Sequence, residues 1–246
     1  FQCNSTVIPA VLENTLGLRN KSIIFSDKLN HSSINHGCAL SKQKTIRFNH
    51  LDYTHLEDIL KINKNYKRKM IISETVFSMD GDIANLDILR FLAEKYGCLL
   101  YFDEAHASGV FGKDGFGLTP SKKYNNAENE IVVGTFSKAF GSYGSYVSCS
   151  KKIKNILVNL CAGLIYSTAL PPPTLGSINS AIDKVFIFSD VRRELLDNSA
   201  FLIYELKKKG FDVSGSKSQI VPMIFSEDSK LNFYSNQLKE KGFFIL

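Results

Sequence analysis

Six short runs rich in β-branched and aromatic residues, at 22–26, 45–48, 70–74, 98–102, 131–135 and 145–149, punctuate this 246-residue chain, with helix-patterned segments between several of them. No other feature restricts the possible folds as much. Strands that alternate with helices predict an α/β architecture on a mainly parallel sheet. Cys98-Leu99-Leu100-Tyr101-Phe102 is apolar at every position instead of every second one, as expected of a strand covered on both faces. Residues 85–96 place Leu86, Leu89, Phe91, Leu92 and Ala93 near helical spacing and predict a helix. No run stays apolar for the ~20 residues that a bilayer requires, so no membrane partner is expected.

The pattern changes beyond residue 170. Pro171-Pro172-Pro173 is the strongest breaker cluster in the chain. A helical stretch follows over 174–209, interrupted near 188–190, and then a strand at 220–225 and a helix at 229–241. The expected organisation is a large domain over 1–170, incomplete at its N-terminus. Residues 171–246 then supply a connecting helix and the start of a smaller, incomplete C-terminal α/β domain. The chain begins at Phe1 without a Met and ends on Phe243-Phe244-Ile245-Leu246, which reads as an internal piece of a longer polypeptide.

Composition narrows the function classes. The chain is 44% hydrophobic and 22% charged, the profile of an ordinary globular protein. Its five cysteines (Cys3, Cys38, Cys98, Cys149 and Cys161) are scattered, with no C-x-x-C pair and no histidine at zinc spacing. They read as reduced thiols of a cytoplasmic protein, and no metal is expected. A formal charge of +6 suits an anionic ligand. Because Lys and Arg are spread along the chain, a nucleic-acid partner is not expected.

In a mainly parallel sheet, ligands collect beyond the carboxyl ends of the strands. Asp103 and His106 follow one predicted strand, Thr135, Ser137 and Lys138 lie at the end of another, and Ser78 follows a third by a short loop. Taken singly, an Asp after a strand is an ordinary turn former and a Lys an ordinary surface charge. Their co-occurrence is the signal, together with Gly109, Gly112, Gly115, Gly117, Gly141 and Gly144, since glycine lets backbone approach a ligand closely. Asp103 and Lys138 are the informative pair. An aldehyde cofactor with a pyridine ring needs an amine to hold it as a Schiff base and a carboxylate to keep its ring nitrogen protonated.

Five motifs occur in order: Asn30-His31-Ser32-Ser33, Val76-Phe77-Ser78-Met79-Asp80-Gly81-Asp82, Asp103-Glu104-Ala105-His106, Gly134-Thr135-Phe136-Ser137-Lys138 and Ile165-Tyr166-Ser167-Thr168-Ala169-Leu170-Pro171-Pro172. This set resembles the α-oxoamine synthase family, pyridoxal 5'-phosphate (PLP)-dependent enzymes of the aspartate-aminotransferase fold (fold type I), and within it the branch that serves biotin biosynthesis. The resemblance covers residues 1–172, and 219–246 is similar to the start of the family's C-terminal lobe. It implies that Lys138 forms the Schiff base and moves the substrate's α-proton, and that Asp103 pairs with the pyridine nitrogen. His31 is expected to stack on the ring, and Ser78 and His106 to hydrogen-bond its phenolic oxygen.

The same resemblance implies that Thr135, helped by Ser137, binds the phosphate, joined by Thr168 of a neighbouring subunit, so that a homodimer is expected. Asn4 and Ser5 are expected in a phosphate-binding turn, Asn4 standing where the family usually has glycine; Asn is the residue that best tolerates left-handed backbone after glycine. The implied reaction is a decarboxylating condensation of L-alanine with pimeloyl-CoA or pimeloyl-acyl-carrier protein. Members acting on glycine, a class II aminotransferase and a noncatalytic subunit of the same fold are the alternatives. The family's upstream glycine-rich segment and its C-terminal carboxylate-binding arginine fall outside residues 1–246.

Overall fold

A computed structural model, which describes residues 1–12, 22–120 and 128–245, centres on a six-stranded sheet. Its strands are β1 (Ser22–Asp27), β2 (Lys44–Phe48), β3 (Arg68–Glu74), β4 (Leu99–Asp103), β5 (Glu130–Thr135) and β6 (Ser145–Cys149), in the order β2-β1-β3-β4-β5-β6. Each predicted run is a strand, within two residues of its expected ends. The pairings are parallel from β2 to β5, and β6 runs antiparallel to β5. The reversal follows from the connection: residues 136–144 form a short loop, and a parallel return needs a crossover of roughly a dozen residues or more.

Helices α1 (Gln2–Leu12), α2 (Ser32–Leu40), α3 (Tyr53–Ile62), α4 (Leu86–Tyr96), α5 (Lys151–Leu160), α6 (Ala162–Ile165), α7 (Pro172–Ile187), α8 (Ser189–Lys208) and α9 (Asp228–Glu240) complete the described elements. Strand alternation explains how the sheet is covered. Ile24, Met70, Ile72, Tyr101, Ile131 and Val133 face one apolar cluster with α1, α2 and α5. Ile23, Phe25, Ile71, Leu100 and Phe102 face the other, with α3 and α4. The helix expected over 85–96 starts one residue later, because Asn85 is its N-cap: its side chain accepts from the Ile88 N–H, and Gly97 ends the helix in left-handed backbone.

The described residues divide into two compact units, one of residues 1–78 with 83–193 and the other of 79–82 with 194–246. Pro171 marks the N-cap of α7, as a helix start preceded by prolines should, while the division between units falls later, within α8. The interruption expected near 188–190 is present: Phe188 caps α7 and α8 begins at the next residue. The expected strand at 220–225 is not formed. Only an isolated bridge, Asp212 to Ile224, appears there. Pro222 lies inside the run and removes a backbone donor that a central strand needs. In the same unit Phe211, Phe225 and Tyr234 pack their rings at centroid distances of 5.2 to 6.3 Å. Leu246, which ends the C-terminal apolar run, lies outside the described residues.

One buried ion pair ties α4 to the sheet. Arg90 Nε donates to Glu130 Oε1 at 2.6 Å, and Nη2 donates to Glu130 Oε2 at 3.0 Å and to the Thr119 carbonyl at 2.7 Å. Arg90→Leu should destabilise the protein by about 3–5 kcal/mol, because it strands a buried carboxylate, and the double variant Arg90→Leu/Glu130→Leu should recover most of the loss. Urea unfolding midpoints test this. A double variant no more stable than the single one would contradict it.

Candidate active site

Parallel strands deliver their carboxyl ends to one edge, and the register makes the arrangement specific: Glu74, the last residue of β3, is level with Asp103, the last residue of β4. Both side chains are buried. Asp103 Oδ1 accepts the Ala105 N–H at 2.9 Å, a turn closed within its own loop, and Oδ2 accepts the Asn4 side-chain amide at 2.6 Å. Burial pushes the Asp103 carboxyl up, while the Asn4 and Ala105 donors and the charge of His31 pull it down. Glu74 accepts the His31 backbone N–H. Burial, then the charge of Asp103, raises its carboxyl to about 8.

Lys138 lies in the loop between β5 and β6. The loop is fastened at its base, where Phe136 N–H donates to the Gly144 carbonyl at 2.9 Å and Ser142 N–H to the Phe136 carbonyl at 2.8 Å. Lys138 Nζ reaches to 2.9 Å from His106 Nε2, on the loop after β4. Burial first, then the charges of Lys138 and His31, lowers His106 to about 4. The imidazole is therefore neutral at pH 7 and accepts from Lys138. The two loops touch closely: Gly109 has φ +85°, and a Cβ there would stand 2.6 Å from Ala139 Cβ, beside Lys138.

His31 caps the N-terminus of α2, its Nδ1 accepting the Ser33 N–H at 3.2 Å. Its ring is exposed on the edge where Glu74 holds its backbone. Thr135 Oγ1 and Ser137 Oγ lie 2.8 Å apart, and Ser137 N–H donates to Thr135 Oγ1 at 3.2 Å, so two hydroxyls cluster at the end of β5. The structure thus brings together His31, Asp103, His106 and Lys138, each within the electrostatic reach of another, with Thr135 and Ser137 on the Lys138 loop.

Four expected residues remain: Ser78, Thr168, Asn4 and Ser5. Ser78, half-buried after β3, makes no side-chain hydrogen bond among the described residues. Thr168 is exposed in the segment between α6 and α7. The left-handed turn expected at Asn4 and Ser5 is not formed. Both residues are helical members of α1; Ser5 Oγ donates to the Phe1 carbonyl at 3.0 Å, and the Asn4 side chain points into the buried network around Asp103. Among the described residues, left-handed backbone outside glycine occurs only at Lys42, Leu51 and Ser214. Sequence reasoning also missed Glu74. Its signal was the one that flagged Asp103, an acid closing an apolar strand.

A buried carboxylate, an amine 2.9 Å from a neutral imidazole and a hydroxyl pair form the donor set that a phosphorylated pyridine aldehyde requires, so the residues present fit that cofactor. A model of the family "Aminotransferase class I and II" matches residues 5–246. The chain belongs to that family. Within it the chain stands with the α-oxoamine synthases, as the ordered motifs imply. A protein of Desulfosudis oleivorans provisionally named an 8-amino-7-oxononanoate synthase is 44% identical over 245 residues, which is 99% of this chain and 61% of that relative.

Two solved structures agree. Serine palmitoyltransferase from S. paucimobilis, with a bound PLP–myriocin adduct, superposes with a TM-score of 0.85 at 28% identity, covering 98% of this chain and 63% of that one. The 8-amino-7-oxononanoate synthase of Francisella tularensis superposes with a TM-score of 0.79 at 27% identity, covering 99% of this chain and 70% of that one. The chain thus spans about 61% of the length of the Desulfosudis relative.

Glu74 gives the site a measurable pH signature. An acid raised from 4.5 to about 8 on folding holds its proton more tightly in the folded state. Its contribution is then fully present below pH 4.5, and stability falls as pH rises toward 8. Glu74→Gln keeps the acceptor for His31 without the charge. The cofactor-free variant should exceed the parent in stability by on the order of 2 kcal/mol at pH 8.5, with the gap closing by pH 5. Unfolding midpoints that shift equally at both pH values would contradict this.

Proposed function

We propose that this protein is a PLP-dependent acyltransferase that condenses L-alanine with a pimeloyl thioester, of CoA or of acyl-carrier protein, with loss of CO₂, to give 8-amino-7-oxononanoate. The observation that carries the reading is the 2.9 Å contact between Lys138 and His106 beside the buried carboxylate of Asp103. The biotin-branch motifs and the names of its relatives support the choice of substrates. Bound PLP supplies an electron sink for negative charge at the substrate's α-carbon.

The chain's own residues account for the rest. Lys138 Nζ is the amine that would hold the cofactor's aldehyde and then carry the α-proton. Its loop has few ways to move, because the base is closed by hydrogen bonds and Gly109 abuts Ala139. Asp103 keeps a pyridine nitrogen protonated by presenting a carboxylate in a dry setting, where the attraction is little screened. His106, neutral at pH 7, offers hydrogen bonds without competing for the positive charge. The Thr135 and Ser137 hydroxyls suit a phosphate. Thr168, exposed in its own chain, suits a contact made across a homodimer.

Purified protein reconstituted with PLP should show a visible absorbance band that Lys138→Ala abolishes. It should also release CO₂ and free thiol from L-alanine plus pimeloyl thioester at a rate at least ~10²-fold above that variant. Greater turnover with L-serine and a long-chain acyl-CoA would move the reading toward the palmitoyltransferase relatives, and with glycine toward other synthases. Formation of pyridoxamine phosphate without CO₂ would replace it with an aminotransferase.

A further inference from the structure

A buried hydrogen-bond chain links two groups of the site that are far apart in sequence. The Tyr101 hydroxyl donates to Asn4 Oδ1 at 2.6 Å. Asn4 Nδ2 donates one hydrogen to Asp103 Oδ2 at 2.6 Å and the other to Ser33 Oγ at 2.9 Å. Ser33 Oγ lies 2.7 Å from His31 Nδ1. The directions are fixed by chemistry. A carboxylate only accepts, so the amide nitrogen of Asn4 must face Asp103 and its oxygen must face Tyr101. Both Asn4 hydrogens are then used, and Ser33 Oγ keeps its own hydrogen for His31 Nδ1. The Ser33 backbone N–H also donates to Nδ1, so in the neutral ring Nδ1 is the acceptor and the proton lies on Nε2.

We infer that Asn4 is a positioning residue that sets the orientation and charge of Asp103 and, through Ser33, the tautomer and orientation of the His31 ring. This deepens the proposed PLP reading and rests on it. The physical case has three parts. Asn4, Ser33 and Tyr101 are all buried, and in a dry setting each bond of such a network is strong and each unmet partner costly. Among the described residues, the Asn4 amide is the only side-chain donor to Asp103, and it opposes the upward pull of burial on that carboxyl. With Ala105 N–H on one oxygen and Asn4 on the other, the carboxylate plane is fixed, and each oxygen keeps a lone pair for a pyridinium N–H.

Asn4→Leu removes both donors at similar volume, and Tyr101→Phe removes only the anchor behind Asn4. The test titrates each protein with PLP and follows the Lys138-dependent visible absorbance across pH, with thermal unfolding of the cofactor-free proteins as a separate reading. A ring nitrogen held less firmly in its protonated form withdraws less charge, so the pH midpoint of the absorbance change should rise in Asn4→Leu by about one unit, with PLP binding weakened about tenfold. Tyr101→Phe should shift both in the same direction by less. Ser33→Ala should weaken PLP binding without moving the midpoint, because it cuts only the His31 branch.

A merely structural role for Asn4 would lower the unfolding temperature and leave the midpoint unchanged; that result overturns the inference. If Asn4→Leu does not fold, an unmoved midpoint in Tyr101→Phe overturns it equally. Absence of any Lys138-dependent band in the parent protein would instead reject the PLP reading itself.

Discussion

The carboxyl edge of the sheet depends on keeping one charge dry. Asp103 is 5% exposed, and burying a carboxylate without partners costs several kcal/mol. The fold meets that cost from two directions. Ala105 supplies an N–H from the turn that Asp103 itself starts, and Asn4 supplies an amide from a helix 99 residues away in sequence. The second contact exists only when α1 packs on the sheet through Val7, Ile8, Val11 and Leu12. Hydrophobic packing of one helix thereby sets the electrostatics of a strand end on which it has no local influence.

The neighbouring acid, Glu104, does a different job because of strand geometry. Successive side chains at the end of a strand point to opposite faces, so Glu104 turns away from Asp103. Its Oε1 accepts the N–H groups of Leu118 and Thr119 at 2.7 and 2.6 Å. Gly117 must be glycine there: its φ is +95°, and a Cβ would stand 1.7 Å from Glu104 Oε2. The loop from 104 to 119 is thus wrapped around its own first residue. His106 rides on that loop, which is why its imidazole arrives at Lys138 at hydrogen-bond distance. The glycines read from the sequence as making room for a ligand prove, at 117, to make room for a carboxylate of the protein.

What was legible in the sequence follows the range of the forces involved. Strand positions were readable because apolar runs are local signals, and Asp103, His106 and Lys138 were readable because strand ends and glycine-rich loops are local too. The role of Asn4 was not, since nothing in Gln2-Cys3-Asn4-Ser5 says that a carboxamide will meet β4. The family resemblance implied a left-handed turn that Asn would tolerate, and tertiary packing made it helical. The run at 220–225 failed for the opposite reason: its apolar residues were correct signals, but Pro222 overrode them. Glu74 closes its strand as Asp103 does, but its place level with Asp103 is set by the β3–β4 register, which is not a local signal.

That register creates a division of labour between two buried acids. Like charges on neighbouring strand ends disfavour one another in a dry edge. Burial raises both carboxyls, but Asp103 accepts from two donors and feels the charge of His31, whereas Glu74 accepts from one backbone N–H. Glu74, whose carboxyl lies at about 8, is therefore the acid that keeps its proton at neutral pH. A protonated Glu74 adds no second charge beside Asp103. Lys138 and neutral His106 stand on the adjoining loops. The sheet register, more than any one residue, thus brings two buried acids level and leaves them with different donors.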